Sequence, residues 1–150
     1  MFNIAQFREL IVKSSLRDLM LYSKNAEELL IFTCAAESLG GTDLQGQGLG
    51  IFNMNIQTYN DIFQNYIKPN SKHLSLLVSN FQIHQMPSEE RMIYDLRFAT
   101  AMAALYYFRL NIPLPDTKDI QAIWDVYRIH YHVESNKLDA IGRYNMFIGN

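Results

Sequence analysis

The segment from Ser88 to near Leu110 constrains the fold of this chain more than any other. Ser88 followed by Glu89 and Glu90 is a helix-opening signal, because acids in the first turn face the positive end of the helix dipole. Ile93, Leu96, Ala99, Thr100, Ala103 and Tyr107 then recur at helical spacing, and Ala101, Met102, Leu105 and Tyr106 make the other faces apolar too. A helix that is apolar nearly all round has to be wrapped by other elements, so the pattern predicts a buried central helix. Ala99, Ala101, Ala103 and Ala104 leave room for neighbouring helices to come close. The most apolar part, residues 99–108, is too short to span a bilayer and carries two tyrosines.

The chain has 150 residues, 49% of them apolar, which suffices for one core and predicts a single domain over residues 1–150. Periodicity and capping signals supply the helices that would wrap the central one. Asn3 with Gln6 opens a first helix through Ile4, Phe7, Leu10 and Ile11. Ser14 and Ser15 read as a break before Leu16, Leu19 and Met20. Asn25 with Glu28 opens the helix of Leu29, Leu30, Phe32 and Ala36, and Gly40-Gly41 stops it. Thr58 with Asp61 caps a helix to about Ile67, and residues 71–81 form another. Asp116 caps one reaching about Tyr131, and Ser135 precedes a last helix over residues 138–147. The expected fold class is mainly α, with a short hairpin or irregular insert between residues 42 and 56.

Charge and cysteine content exclude several classes of function. Thirteen basic against fifteen acidic side chains give a net charge of −2 and no basic stripe, which argues against a nucleic-acid partner. The same balance gives no broad positive field for drawing the chain onto an anionic cell wall, so such binding would need a local groove. Cys34 is the single cysteine, so no internal disulfide forms, and its place in an apolar helix reads as a packed thiol. The first ten residues lack the cationic start, apolar run and small-residue site of a signal peptide, so export by a signal of its own is not expected. His130 and His132 fall on different sides of a helix without a third ligand at suitable spacing, and no metal or other cofactor is expected. Gly46, Gly48 and Gly50 are not a phosphate-binding fingerprint, because no helix opens after them and the lysine is missing. They read instead as points of close backbone approach.

Residues 35–58 carry the chemistry. Counting back from Glu37 at helical spacing reaches Thr33, Leu30 and Ala26, so Glu37 continues an apolar stripe at the last turn of its helix. A carboxyl group there is expected to be partly desolvated and close to the negative end of the helix dipole. Both features favour its protonated form, which is what a general acid for glycosidic cleavage requires.

Glu37-Ser38, then Gly48-Leu-Gly-Ile-Phe-Asn-Met54, then Thr58, resemble the Glu-Ser … Gly-Leu-Met-Gln … Thr signature of the lytic transglycosylase and goose-type lysozyme superfamily. The likeness is closer to a group of phage-encoded lysozyme-like proteins. Their pattern runs Ala-Glu-x-Leu-Leu-x-x-Thr-x-x-x-Glu-Ser-x-x-Gly, Gly-x-x-Leu-Gly-Ile-Phe-Gln-Met and Leu-Arg-Tyr-Ala-x-Ala. These segments stand here at residues 26–40, 46–54 and 96–101. A phage-type lysozyme pattern with Glu, Asp and Thr does not fit, since Gly46 sits where its Asp belongs.

The resemblance implies a lysozyme-like fold in which Glu37 is the sole general acid and base cutting peptidoglycan, as a lytic transglycosylase or a muramidase. Ser38, Gly50, Asn53, Met54 and Tyr131 would be its substrate-binding residues, with Asn53 in place of the family's Gln. Ser38 either hydrogen-bonds near Glu37 or simply finishes the helix. Tyr131 either steadies the sugar or the acid, or packs as a rim aromatic. The implied partners are the bacterial peptidoglycan glycan strand and phage virion or tail proteins. The implied location is the virion or the host cytoplasm, with action at the cell wall. Asn53 for Gln, Asn55-Ile56 for an acidic-Pro pair and His132 for Asn are departures from the pattern. They leave open a catalytically inactive structural or adaptor protein that keeps the fold.

Overall fold

The computed structural model describes residues 1–44 and 46–150 and is mainly helical, as the periodicity predicts. Helix α1 covers residues 4–18, with a π-helical stretch at Phe7–Lys13 between regular turns at Ile4–Gln6 and Ser14–Asp18. Asn3 caps it by accepting from the Gln6 amide. Ser14 and Ser15 do not break it. Ser15 is fully buried with its hydroxyl toward the Arg97 carbonyl, and the chain turns only at Met20, where φ is 58°.

Helix α2, Lys24–Ser38, is capped by Ser23, which accepts from the Ala26 amide at 3.0 Å, two residues before the expected Asn25. Every residue from Ala26 to Ala35 is buried. The chain therefore has two enclosed helices where the sequence pointed to one. Helix α3 covers residues 56–67, and its second half, Ile62–Ile67, is again π-helical. Helix α4 is Ser71–Phe81 and α5 the short Arg91–Tyr94.

The long helix expected from Ser88 is interrupted at Asp95, which has φ −112° and ψ 96° and caps the buried helix α6, Leu96–Phe108. Asp95 accepts from the Phe98 amide at 2.9 Å and pairs with Arg91 at 3.0 Å. A side chain able to satisfy free amides at the start of a helix also competes with the helix running through it, which explains the break. Helices α7, Ile120–His130, and α8, Lys137–Ile148, complete the fold.

The caps of α3, α7 and α8 are Asn55, Asp119 and Asn136, not Thr58, Asp116 and Ser135. In each case a residue with a suitable side chain stands immediately before the first helical residue, where its oxygen reaches the third amide beyond.

Helix α2 packs most extensively on α8 and also touches α6 and α7. Two sets of polar contacts tie these helices together. Thr33 shares a 2.8 Å hydrogen bond with the Tyr107 hydroxyl, joining α2 to α6. Arg8 on α1 bridges Glu27 and Glu28 on α2, each at 2.7 Å, and the Tyr144 hydroxyl on α8 donates to Glu28 at 2.6 Å.

After α2 the chain passes through left-handed conformations at Leu39, Gly40 and Gly41. A side chain at Gly40 would begin 2.7 Å from the Phe147 ring, so glycine both ends α2 and lets α8 close over it. The insert that follows is held by one antiparallel bridge, Leu49 with Met54, through bonds of 2.8 and 3.2 Å. Among the described residues it contains no strand, and Gln45 of the expected loop lies outside them.

Candidate active site

The last turn of α2 delivers Glu37 to the junction of the insert with the end of α7, where its side chain is only 3% exposed. Three polar groups converge on its carboxyl. The Tyr127 hydroxyl donates to Oε1 at 2.7 Å, His132 Nδ1 lies 2.8 Å from the same oxygen, and Asn53 Nδ2 donates to Oε2 at 2.9 Å. The sequence suggested a lone acid in a greasy wall. In the structure the wall is apolar further out, and the carboxyl itself is ringed by hydrogen-bonding groups.

Asn53 is set by the glycines. It adopts a left-handed φ of 49°, which asparagine tolerates, and its Oδ1 accepts from the Gly48 amide at 2.7 Å. A Cβ at Gly48 would fall 2.1 Å from the Asn53 carbonyl oxygen, and one at Gly46 would fall 2.2 Å from Asn53 Oδ1. Gly50 makes the third close approach, its missing Cβ leaving space for the Met92 carbonyl. The glycine spacing thus wraps a loop around the amide that contacts Glu37.

Ser38 is buried, with its hydroxyl 2.8 Å from the Ile51 carbonyl and accepting from the Gly41 amide at 3.1 Å, so it ties the insert to the end of α2. Met54 is buried in the bridge with Leu49. Tyr131 donates to the Phe52 carbonyl at 2.7 Å and stacks on Tyr107 and Tyr127. The tyrosine that reaches the acid is Tyr127, one helical turn before Tyr131. A tyrosine on a buried stripe needs a partner for its hydroxyl, and that need was the available signal.

Burial, reinforced by the nearby Glu37 charge, holds the Tyr127 phenol far above its ordinary range and keeps it a hydrogen-bond donor. Tyr131 and Tyr107 are raised chiefly by burial as well. Burial likewise pushes the Cys34 thiol up to about 12, against opposing contacts from Ser38 and the Gly40 backbone, leaving it a packed and unreactive group.

Glu37 lines two adjoining concavities. One, about 160 Å³, is mostly apolar and is bounded by Leu44, Leu49 and Ile93, with Asp43 at its edge. The other, about 220 Å³, is bounded by Gln47, Asn55, Tyr131 and His132. A smaller one beyond it lies among Asn55, Thr58, Tyr106 and Tyr131. Asn53 borders all three. The acid therefore sits where an apolar and a polar concavity meet.

Asp43 and Asp61 are the other carboxylates to consider. Asp43 pairs with Arg143 at 2.8 Å beside the apolar arm, and Asp61 pairs with Arg109 at 3.3 Å on α3. Among the described residues no group of three or more His, Cys, Asp and Glu side chains is placed to hold a metal ion. No helix among the described residues is long and apolar enough to cross a membrane.

No family model matches the chain, and no curated protein or solved structure matches it significantly.

Proposed function

We propose that the chain is a peptidoglycan-cleaving glycosidase, a lytic transglycosylase or muramidase in which Glu37 alone serves as general acid and base. The observation that carries this reading is the position of Glu37: a nearly buried carboxyl opening onto the middle of a groove, with Asn53 and Tyr127 fixing its two oxygens. Glu37 protonates the oxygen joining N-acetylmuramic acid to N-acetylglucosamine. The 2-acetamido carbonyl of the substrate stabilises the positive centre, so no second carboxylate is required. Glu37, now a base, accepts a proton either from the sugar's own C6 hydroxyl, giving an anhydro end, or from water, giving a reducing end. A phage virion or tail is the setting the motif resemblance supports.

The inactive-relative reading has one observation in its favour. Oε1 already has two partners, Tyr127 and His132, so a leaving-group oxygen must displace or share one of them. Digestion of purified bacterial wall by the wild-type chain and by Glu37→Gln separates the two readings. Cleavage by the wild type alone supports the enzyme, and no cleavage by either supports the structural protein.

A further inference from the structure

The motif resemblance assigns Asn53 to the substrate, yet both ends of its amide are engaged inside the protein. The backbone N–H of Gly48 can only donate, so the Asn53 atom it meets at 2.7 Å is Oδ1. Nδ2 is then the atom left to face Glu37 Oε2, at 2.9 Å. A carboxyl oxygen has room for two such contacts, and one opposite an N–H donor must present a lone pair on that side. Oε1 has both positions filled, by the Tyr127 hydroxyl at 2.7 Å and His132 Nδ1 at 2.8 Å. Oε2 has Asn53 as its one partner among the described residues, which leaves its second position open. Glu37 and Asn53 both border the apolar and the polar concavity, so that position lies where the two meet.

We propose that Asn53 is a positioning residue that makes Oε2 the oxygen which hands over the acid proton and takes one back. This deepens the glycosidase reading of Glu37 and rests on it. The Oε2–H proton passes to the oxygen between the two sugars as the bond from C1 to that oxygen breaks, and the bonding electron pair stays with the leaving oxygen. The carboxylate left behind is met at Oε2 by the Asn53 N–H. It then takes a proton at the same oxygen from the C6 hydroxyl or from water, as that oxygen bonds to C1, so each turnover restores the acid. Both proton steps leave the contacts of Oε1 with Tyr127 and His132 in place, and the crowding of Oε1 does not obstruct them. The charged and titratable groups around the carboxyl are Tyr107 from α6, Tyr127 from α7, Tyr131 and His132 just beyond it, and Arg143 from α8, which pairs with Asp43.

Asn53→Asp in the full chain tests this. Aspartate has nearly the same shape, tolerates the left-handed φ of 49° and keeps an oxygen for the Gly48 amide, but it replaces the donor facing Oε2 with an acceptor. The expected result is a loss of about 100-fold in kcat with little change in KM. The alkaline limb of the pH profile should also move up by about one unit, because two carboxyl groups then share a proton. A merely structural role would lower the rate without moving the limb. An unmoved limb, or a loss confined to KM as expected for a substrate contact, overturns the proposal. A second readout does not depend on cleavage: the Asn53 side-chain amide signals by NMR in the wild type and in Glu37→Gln. Across the range where carboxyl groups ionise they should shift with pH in the wild type and stay flat in the variant, and identical curves overturn the proposal whether or not the chain cuts wall. An amide that follows Glu37 in a wild type that cleaves nothing overturns the glycosidase reading, and with it the positioning role.

Discussion

The Tyr127 hydroxyl donates to Glu37 Oε1 at 2.7 Å although 90 residues separate the two in the chain. The contact crosses from the last turn of α2 to α7, and Tyr127 is anchored there by a ring edge-on to Phe32 at 5.4 Å. One carboxyl oxygen is thus oriented from the core while Asn53 on the insert holds the other, and a packed support such as Tyr127 holds a group in one geometry. Tyr127→Phe keeps the ring packing and removes only the donor. It should lower unfolding free energy by about 1 kcal/mol and wall cleavage by about 100-fold, read by urea denaturation and by turbidity of wall suspensions. An unchanged cleavage rate would mean that the hydroxyl does not support the acid.

Two glycines should respond in opposite directions to the same added methyl group. At Gly50 the φ is +68° and a Cβ would lie 2.1 Å from the Met92 carbonyl oxygen, so Gly50→Ala should cost about 2 kcal/mol or more and loosen the insert. At Gly142, in the exposed face of α8, a Cβ meets nothing within 4 Å. Gly142→Ala should stabilise by about 0.5 to 1 kcal/mol through the helix preference of alanine. Thermal midpoints of the two variants against the wild type decide the matter.

Arg8 balances two carboxylates that are almost wholly enclosed, Glu27 at 5% and Glu28 at 9% exposure. Burial opposes the charge on Arg8, but its bonds to Glu28 and Glu27 outweigh this and hold the guanidinium above its ordinary range. Arg8→Met leaves both acids without their cation and should destabilise by about 3 kcal/mol. Replacing Glu27 and Glu28 by Gln in the same chain should return a large part of that loss, because the uncompensated charge is gone. Urea unfolding of the single and triple variants tests both statements.

His73 makes the fold sensitive to acid. It is 8% exposed near the start of α4, Nε2 meets the Tyr66 hydroxyl at 3.1 Å, and Nδ1 has no partner among the described residues. Burial, with the Lys72 charge adding to it, lowers its pKa below the ordinary imidazole range. The unfolded chain therefore binds the proton first as pH falls. The stabilising contribution is fully present above pH 6.5 and is lost as pH falls toward the folded-state value. Urea midpoints at pH 7.5 and pH 5 should drop further in the wild type than in His73→Gln, and equal drops would remove His73 as a cause.

What could be read from the chain before folding was the part encoded in local pattern. The all-round apolar character of residues 96–108, the glycine stop at Gly40-Gly41 and the inward set of Glu37 each follow from neighbours a few residues away, and each is found. Cap positions moved by one to three residues, because Asn, Asp and Ser near a helix start compete for the same amides and only the backbone path decides among them. Asp95 illustrates the same competition inside a helical pattern. The π-helical stretches at Phe7–Lys13 and Ile62–Ile67 carry no compositional mark. Around Glu37, the partners Tyr127 and His132 come from 90 and 95 residues away, and Asn53 from 16. Spacing could not choose Tyr127 over Tyr131, because both lie on one side of α7 one turn apart, and only the packing of α7 on α2 selects which hydroxyl meets the acid.

The most direct measurement is mass spectrometry of the products released from purified peptidoglycan by the wild-type chain and by Glu37→Gln. A single enclosed carboxyl acting as acid and then base predicts muropeptides with anhydro or reducing muramic ends from the wild type and none from the variant. Equal product from both, or none from either, would contradict it.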